Sequence, residues 1–134
     1  MKRVFFSHPY SNAPLLNLSR ITFILNRLKG RYTDILFISP VHAFSYFNEE
    51  KMRYRDSIME YCKKVMIESC EEVWFAGISS GCLEEIEYAL ELDKRVCIYE
   101  GGEVREIDEI EIRKLIDTME DEDIIYTYQI DVEK

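Results

Sequence analysis

The chain has 134 residues, 47% of them hydrophobic, with 26 acidic against 17 basic side chains and a formal charge of −9. That length holds one domain with a core of its own, without the help of a metal or disulfide. That charge excludes the positive footprint of a nucleic-acid binder, so polymeric nucleic acid and anionic membrane are poor partners.

A short apolar run over residues 3–6 reads as the first strand and ends in the turn-rich Ser7-His8-Pro9-Tyr10-Ser11-Asn12. Residues 13–29 read as a helix, with Leu18, Ile21, Leu25 and Leu28 on one face and Gly30 as its stop. A second strand, 35–38, closes at Ser39-Pro40 and leads into a ring-rich loop holding His42, Phe44, Tyr46 and Phe47. A long helix follows over about 48–69, with Met52, Ile58, Cys62, Val65 and Met66 as inward candidates. Residues 73–76 are the third strand, 81–92 the next helix, and 95–99 the fourth strand, ended by Gly101-Gly102.

The last helix starts at a capping box, Asp108 with Glu111, with Ile107 and Ile112 placed as a hydrophobic staple. Residues 123–130, rich in Ile and Tyr, read as a fifth strand. Strands and helices in alternation predict an α/β fold: a doubly wound, flavodoxin- or Rossmann-like parallel five-stranded sheet with helices on both faces. No repeat, linker or second domain interrupts residues 1–134. Residues 103–123 carry ten acidic and three basic side chains, which fits a solvated face or a docking surface for a basic partner.

The four cysteines form no C-x-x-C pair, and no signal-like stretch or spanning run precedes or follows them, so reduced thiols in a cytoplasmic protein are expected. His8 and His42 stand at no zinc-ligand spacing, so neither a metal nor another cofactor is expected.

Chemistry concentrates between Val73 and Ala89: a hydrophobic strand, the turn Gly77-Ile-Ser79-Ser80-Gly81, then a helix bearing carboxylates. In a parallel sheet the turn beyond a strand's carboxyl end faces the ligand, and the loop after the first strand is its neighbour. Small residues there admit a ligand to the backbone, and helix-start N–H groups favour an anion. The turn lacks the Lys-Ser/Thr of a phosphate loop, so a cradle for phosphate and a simple N-cap by Ser80 stand side by side.

On the helix, Cys82, Leu83, Ile86, Ala89 and Leu90 share a buried face, with Glu84, Glu87 and Glu91 opposite and Glu85 at the edge. An edge carboxylate above a glycine turn suits a nucleophile or acid/base group, and equally a surface Glu favouring the helix dipole. Cys82 reads as a core thiol. His8 suits a general base or a loop hydrogen bond, Tyr10 a wall for sugar or base, and the His42 loop a wall for a flat ligand or a packed lid.

These residues resemble the nucleoside 2-deoxyribosyltransferase-like superfamily, in particular its short bacterial and phage branch. The resemblance covers about residues 3–99 and rests on Val4-Phe-Phe-Ser-His-Pro-Tyr10, on Pro40-Val-His42 with its aromatic loop, and on Cys70 to Ala89. The family's turn carries Asp-x-Gly, a Glu four residues after the Gly, then Gly-x-Ala. Gly81, Glu85 and Ala89 match, which implies Glu85 as glycosyl nucleophile, while Ser79 replaces the Asp and Glu87 the later Gly. Related deoxynucleoside-monophosphate N-glycosidases set a Ser where Ser79 stands and use it on the 5′-phosphate.

The resemblance thus implies hydrolysis or transfer at the N-glycosidic bond of a small nucleotide or nucleoside. Ser7, His8, Tyr10, His42, Gly77, Ser79, Ser80 and Gly81 would bind the substrate. A non-catalytic nucleotide-binding module using the same cleft is the alternative. The resemblance also implies a homo-oligomer, with the ring-rich loop, Tyr126 and Tyr128 as contact candidates.

Overall fold

The structure, a computed structural model, describes residues 1–47, 51–118 and 124–129. The inward placement of Met52, the helix start at 48, residues 119–123 and the outer ends of the 123–130 strand lie outside the described residues or side chains.

The main sheet is built from β1 (Lys2–Ser7), β2 (Ile35–Ile38), β3 (Glu72–Phe75), β5 (Arg95–Glu100) and β6 (Glu103–Glu106), in the order β2-β1-β3-β5-β6. The first four run parallel, and β6 returns antiparallel to β5. Between them lie α1 (Pro14–Arg31), α2 (Pro40–Phe44), α3 (Lys51–Tyr61), α4 (Ser80–Glu91) and α5 (Glu109–Asp117). A short β4 (Gly77–Ile78) pairs antiparallel with β7 (Ile125–Tyr126) as a separate ribbon.

Strand alternation divides the core in two. Val4, Phe6, Trp74 and Cys97 pack beneath Ile21, Ile24 and Leu28 of α1. Phe5, Val73, Phe75, Val96 and Ile98 pack beneath Ile58, Ile86, Ala89 and Ile112, from α3, α4 and α5. Helices therefore cover both faces of an α/β, mostly parallel sheet.

Several sequence expectations need correction. The fifth strand of the sheet is β6, not the 123–130 segment, and it is antiparallel. Its cause is local: Gly101 and Gly102 sit at φ +60 and +90, as a tight hairpin turn of type I′ demands, and join Glu100 directly to Glu103. Gly30 does not stop α1, which runs on to Arg31. The buried face of α1 is Asn17, Ile21, Ile24 and Leu28, with Leu18 and Leu25 at its margin.

Val65 is 47% exposed, whereas Ile67 is fully buried. The reason is a π-helical turn, Cys62–Ile67, that continues α3. Its wider winding slips the inward phase by one residue, so the core positions run Ile58, Cys62, Ile67. The start of α5 follows expectation: Asp108 accepts from the Glu111 amide at 2.9 Å, and Ile107 and Ile112 are both buried.

No helix among the described residues is long and apolar enough to cross a membrane.

Candidate functional site

A cleft of about 650 Å³ opens at the carboxyl ends of the strands. The loop after β1 supplies His8, Tyr10 and Asn12, α2 supplies Val41 and Phe44, and α3 supplies Arg55, Ile58 and Met59. The start of α4 supplies Ser79, Ser80, Gly81 and Glu85, and Ile116 and Ile124 close the far side. The loop after β1 and the turn before α4 do face each other, as the parallel topology requires.

Glu85 is 6% exposed, on the side of α4 that also buries Cys82, Ile86 and Ala89. It is not at the helix edge but turned to the sheet. Ser7, fully buried at the end of β1, donates its hydroxyl to Glu85 Oε1 at 2.6 Å. That length is typical of an O–H donor on a carboxylate. Ser7 is absent from the cleft lining, so it contacts the carboxylate rather than a ligand.

The N-cap of α4 is Ser79, not Ser80. Ser79 is extended, and its Oγ accepts from the Cys82 amide at 3.3 Å. The hydroxyl proton is still available to donate. Ser80 is exposed at the first helical position, and Gly81 lines the cleft with only ordinary room beside it, since an added Cβ would meet Met59 Sδ at 3.9 Å.

Gly77 has a different duty from the substrate contact expected of it. A Cβ there would lie 2.6 Å from the Ile125 carbonyl and 2.7 Å from Pro9 Cδ. The glycine lets the β1 loop and β7 close over β4, and it does not reach the cleft lining. His42 also stands apart: it is exposed, with ring contacts to Ser39 Oγ and Thr22 Oγ1. Of the ring-rich loop, only Phe44 turns into the cleft, while Phe47 stacks near Tyr54 and Tyr46 is 77% exposed.

His8 is buried, with Nδ1 at 2.6 Å from the Pro9 carbonyl and Nε2 at 2.6 Å from the Tyr128 hydroxyl. A carbonyl only accepts, so Nδ1 carries the proton and Nε2 accepts from Tyr128. Burial drives the imidazole pKa down to about 4, aided by the Arg20 charge and opposed by the Pro9 carbonyl. At neutral pH His8 is an uncharged structural link, its lone pair already engaged. Tyr126 joins the same network through Asn12, Asn17 and Arg20. Both tyrosines are therefore half-buried partners of the β1 loop, not exposed contact candidates.

Cys82 is a core thiol, as expected, its pKa pushed up to about 11 by burial and then by the Glu85 charge. All four cysteines are buried, and none is in a disulfide. Among the described residues, no group of three or more His, Cys, Asp or Glu could hold a metal ion.

Arg55 is the cleft residue that sequence reasoning missed. Its guanidinium sits 3.3 Å from Glu84, which Lys63 also approaches at 3.6 Å. The only signal for it was a basic residue in the middle of an amphipathic helix, which is common on any solvated face. The acidic stretch after β5 proves partly self-neutralised: Arg105 pairs with Glu100 and Glu111, and Arg113 with Glu87 and Glu109.

Compared with protein-family models, with curated proteins and with solved structures, the chain matches none.

Proposed function

We propose that the protein acts on the N-glycosidic bond of a small deoxynucleotide or nucleoside, with Glu85 as nucleophile. The observation that carries this reading is a buried carboxylate in the wall of a cleft that Arg55 also lines, one turn into a helix whose first residues line the same cleft. Glu85 attacks the anomeric carbon, the base departs, and a covalent glycosyl intermediate is released to water or to a second base.

The start of α4 favours an anion through its first-turn N–H groups and dipole, which suits a 5′-phosphate beside Ser79, Ser80 and Gly81. Arg55 supplies the countercharge. Its bond to Glu84 is partly exposed and therefore weak, about 0–1 kcal/mol, and Glu84 keeps Lys63 when Arg55 turns away. Tyr10, Val41 and Phe44 form an apolar wall suited to the sugar and base.

The same proposal takes the fold as doubly wound and flavodoxin-like, which the β2-β1-β3-β5 order and helices on both faces support. It places the enzyme in the cytoplasm, in keeping with four cysteines outside any disulfide, as a homo-oligomer that covers the exposed Tyr46.

Incubation with deoxynucleoside monophosphates, followed by chromatography for free base, is the direct test. Base release by the native protein and its loss by at least about 10³-fold in Glu85→Ala are expected. Release that is equal in the variant sinks the mechanism.

One observation favours a second reading, a module that binds a nucleotide without turnover. Among the described residues lining the cleft, Glu85 is the single carboxyl group, so no second acid stands ready to protonate a leaving base. A thermal shift with nucleotides and no base release would select this reading.

A further inference from the structure

Two residues break the apolar pattern of the core beneath α4, and they break it at the same point. In β1, alternation puts Phe5 and Ser7 on the face that carries Val73 and Phe75 of β3. Phe5 joins that core, whereas Ser7, also fully buried, brings a hydroxyl. On α4, the inward positions are Cys82, Ile86 and Ala89, and between them a carboxylate, Glu85. The two polar groups meet at 2.6 Å across 78 residues of chain.

Stability alone does not call for this pair, because an apolar pair of the same shape would hold the layers together as well or better. Local departures of this kind, meeting across two layers of the fold, mark positions set by function.

We infer that Ser7 is a positioning residue: its hydroxyl fixes the rotamer of Glu85 and favours the ionised carboxylate that attacks. Ser7 is held to this task by the sheet, since its carbonyl accepts from Ala76 and its Cα is in register with Phe75. The donor therefore cannot follow the carboxylate if α4 shifts. This inference rests on the nucleophile role proposed above for Glu85.

Ser7→Ala removes one oxygen and leaves no overpacking, so the folded variant can be studied directly, with its fold checked by circular dichroism. Two readouts are taken. In the first, carbon-detected NMR follows the Glu85 carboxyl through a pH titration in the native protein and in Ser7→Ala. Loss of a hydrogen bond to the charged form makes it an about tenfold weaker acid.

In the second, turnover of deoxynucleoside monophosphates falls in kcat by about 10- to 100-fold with KM within about twofold, the mark of a misplaced reacting group. The acid limb of the kcat profile moves to higher pH in parallel. An unmoved Glu85 titration overturns the inference, and so does a moved titration with kcat unchanged. If the native protein releases no base, the proposed function fails instead, while the titration still decides whether Ser7 governs the Glu85 carboxylate.

Discussion

The sheet buries a carboxylate at each end, and the two are held in opposite ways. Glu72 begins β3, at the end away from the cleft, where Lys2 Nζ lies 2.8 Å and Arg95 Nη1 3.4 Å from one oxygen. The Trp74 indole donates to its other oxygen at 2.7 Å. Burial alone would raise the Glu72 pKa, but the Lys2 and Trp74 hydrogen bonds and the two cations hold it below the usual value. Glu85, at the cleft end, receives instead the hydroxyl of Ser7 and faces a cavity. One carboxylate is clamped by two cations, and the other takes a neutral hydroxyl and lines a cavity. That contrast separates a structural acid from a candidate reactive one without reference to any relative.

The comparison can be broken first at the cleft end. Gly77→Ala drives a methyl group into the Ile125 carbonyl and the Pro9 ring, and should destabilise by about 3 kcal/mol, with loss of β7 packing. Urea unfolding measures the loss, and retention of native stability would show that β7 is not seated on β4.

The next effect is a pH dependence. Since His8 stays neutral down to about 4 in the native state while an unfolded histidine protonates near 6.5, its contribution is complete above 6.5 and is lost as pH falls from there to about 4. The difference across that window is about 3 kcal/mol. Urea midpoints taken between pH 4 and 8 should slope for the native protein and flatten in His8→Asn. Glu72 acts in a lower window: its folded pKa is depressed, so its stabilisation is present above the unfolded carboxylate value and lost only as pH falls through the lower folded one.

At the far end, Glu72→Leu orphans the Trp74 N–H and takes its carboxylate from Lys2, while Arg95 keeps Glu106. It should reduce stability by about 2 kcal/mol yet leave base release or nucleotide binding at native levels. A fall in activity matching that of Glu85→Ala would erase the distinction between the two ends. The smallest effect lies away from both: Gly30→Ala, in the exposed last turn of α1 with open space around it, should raise stability by about 0.5–1 kcal/mol in thermal unfolding.

Legibility from sequence followed the range of the interaction. The α5 N-cap and the cores of the first four strands are marked by residues a few positions apart, and these were readable. The Gly101-Gly102 hairpin was equally local, but the acidic residues after it drew the reading toward a solvated face. Glu85 stood out by its spacing from Gly81, yet its inward orientation did not, because one residue at the margin of a helical stripe can turn either way. The partners that define the site come from far along the chain: Ser7 for Glu85, Tyr128 for His8, Ile125 and Pro9 around Gly77. No periodicity encodes such meetings. They are decided when the layers close.

The π-helical turn at Cys62–Ile67 has a consequence for the cleft wall. A π turn holds one residue more than an α turn, so the helix before it is rotated by about 100° relative to its continuation. Arg55, Ile58 and Met59 lie before the turn and line the cleft, while Ile67 lies after it and is anchored in the core. The turn therefore works like an angular offset between a fixed base and a pointer. Deleting one residue within it would swing Arg55 away from the cleft, and would carry Ile58 out of its core position as a key is turned in a lock.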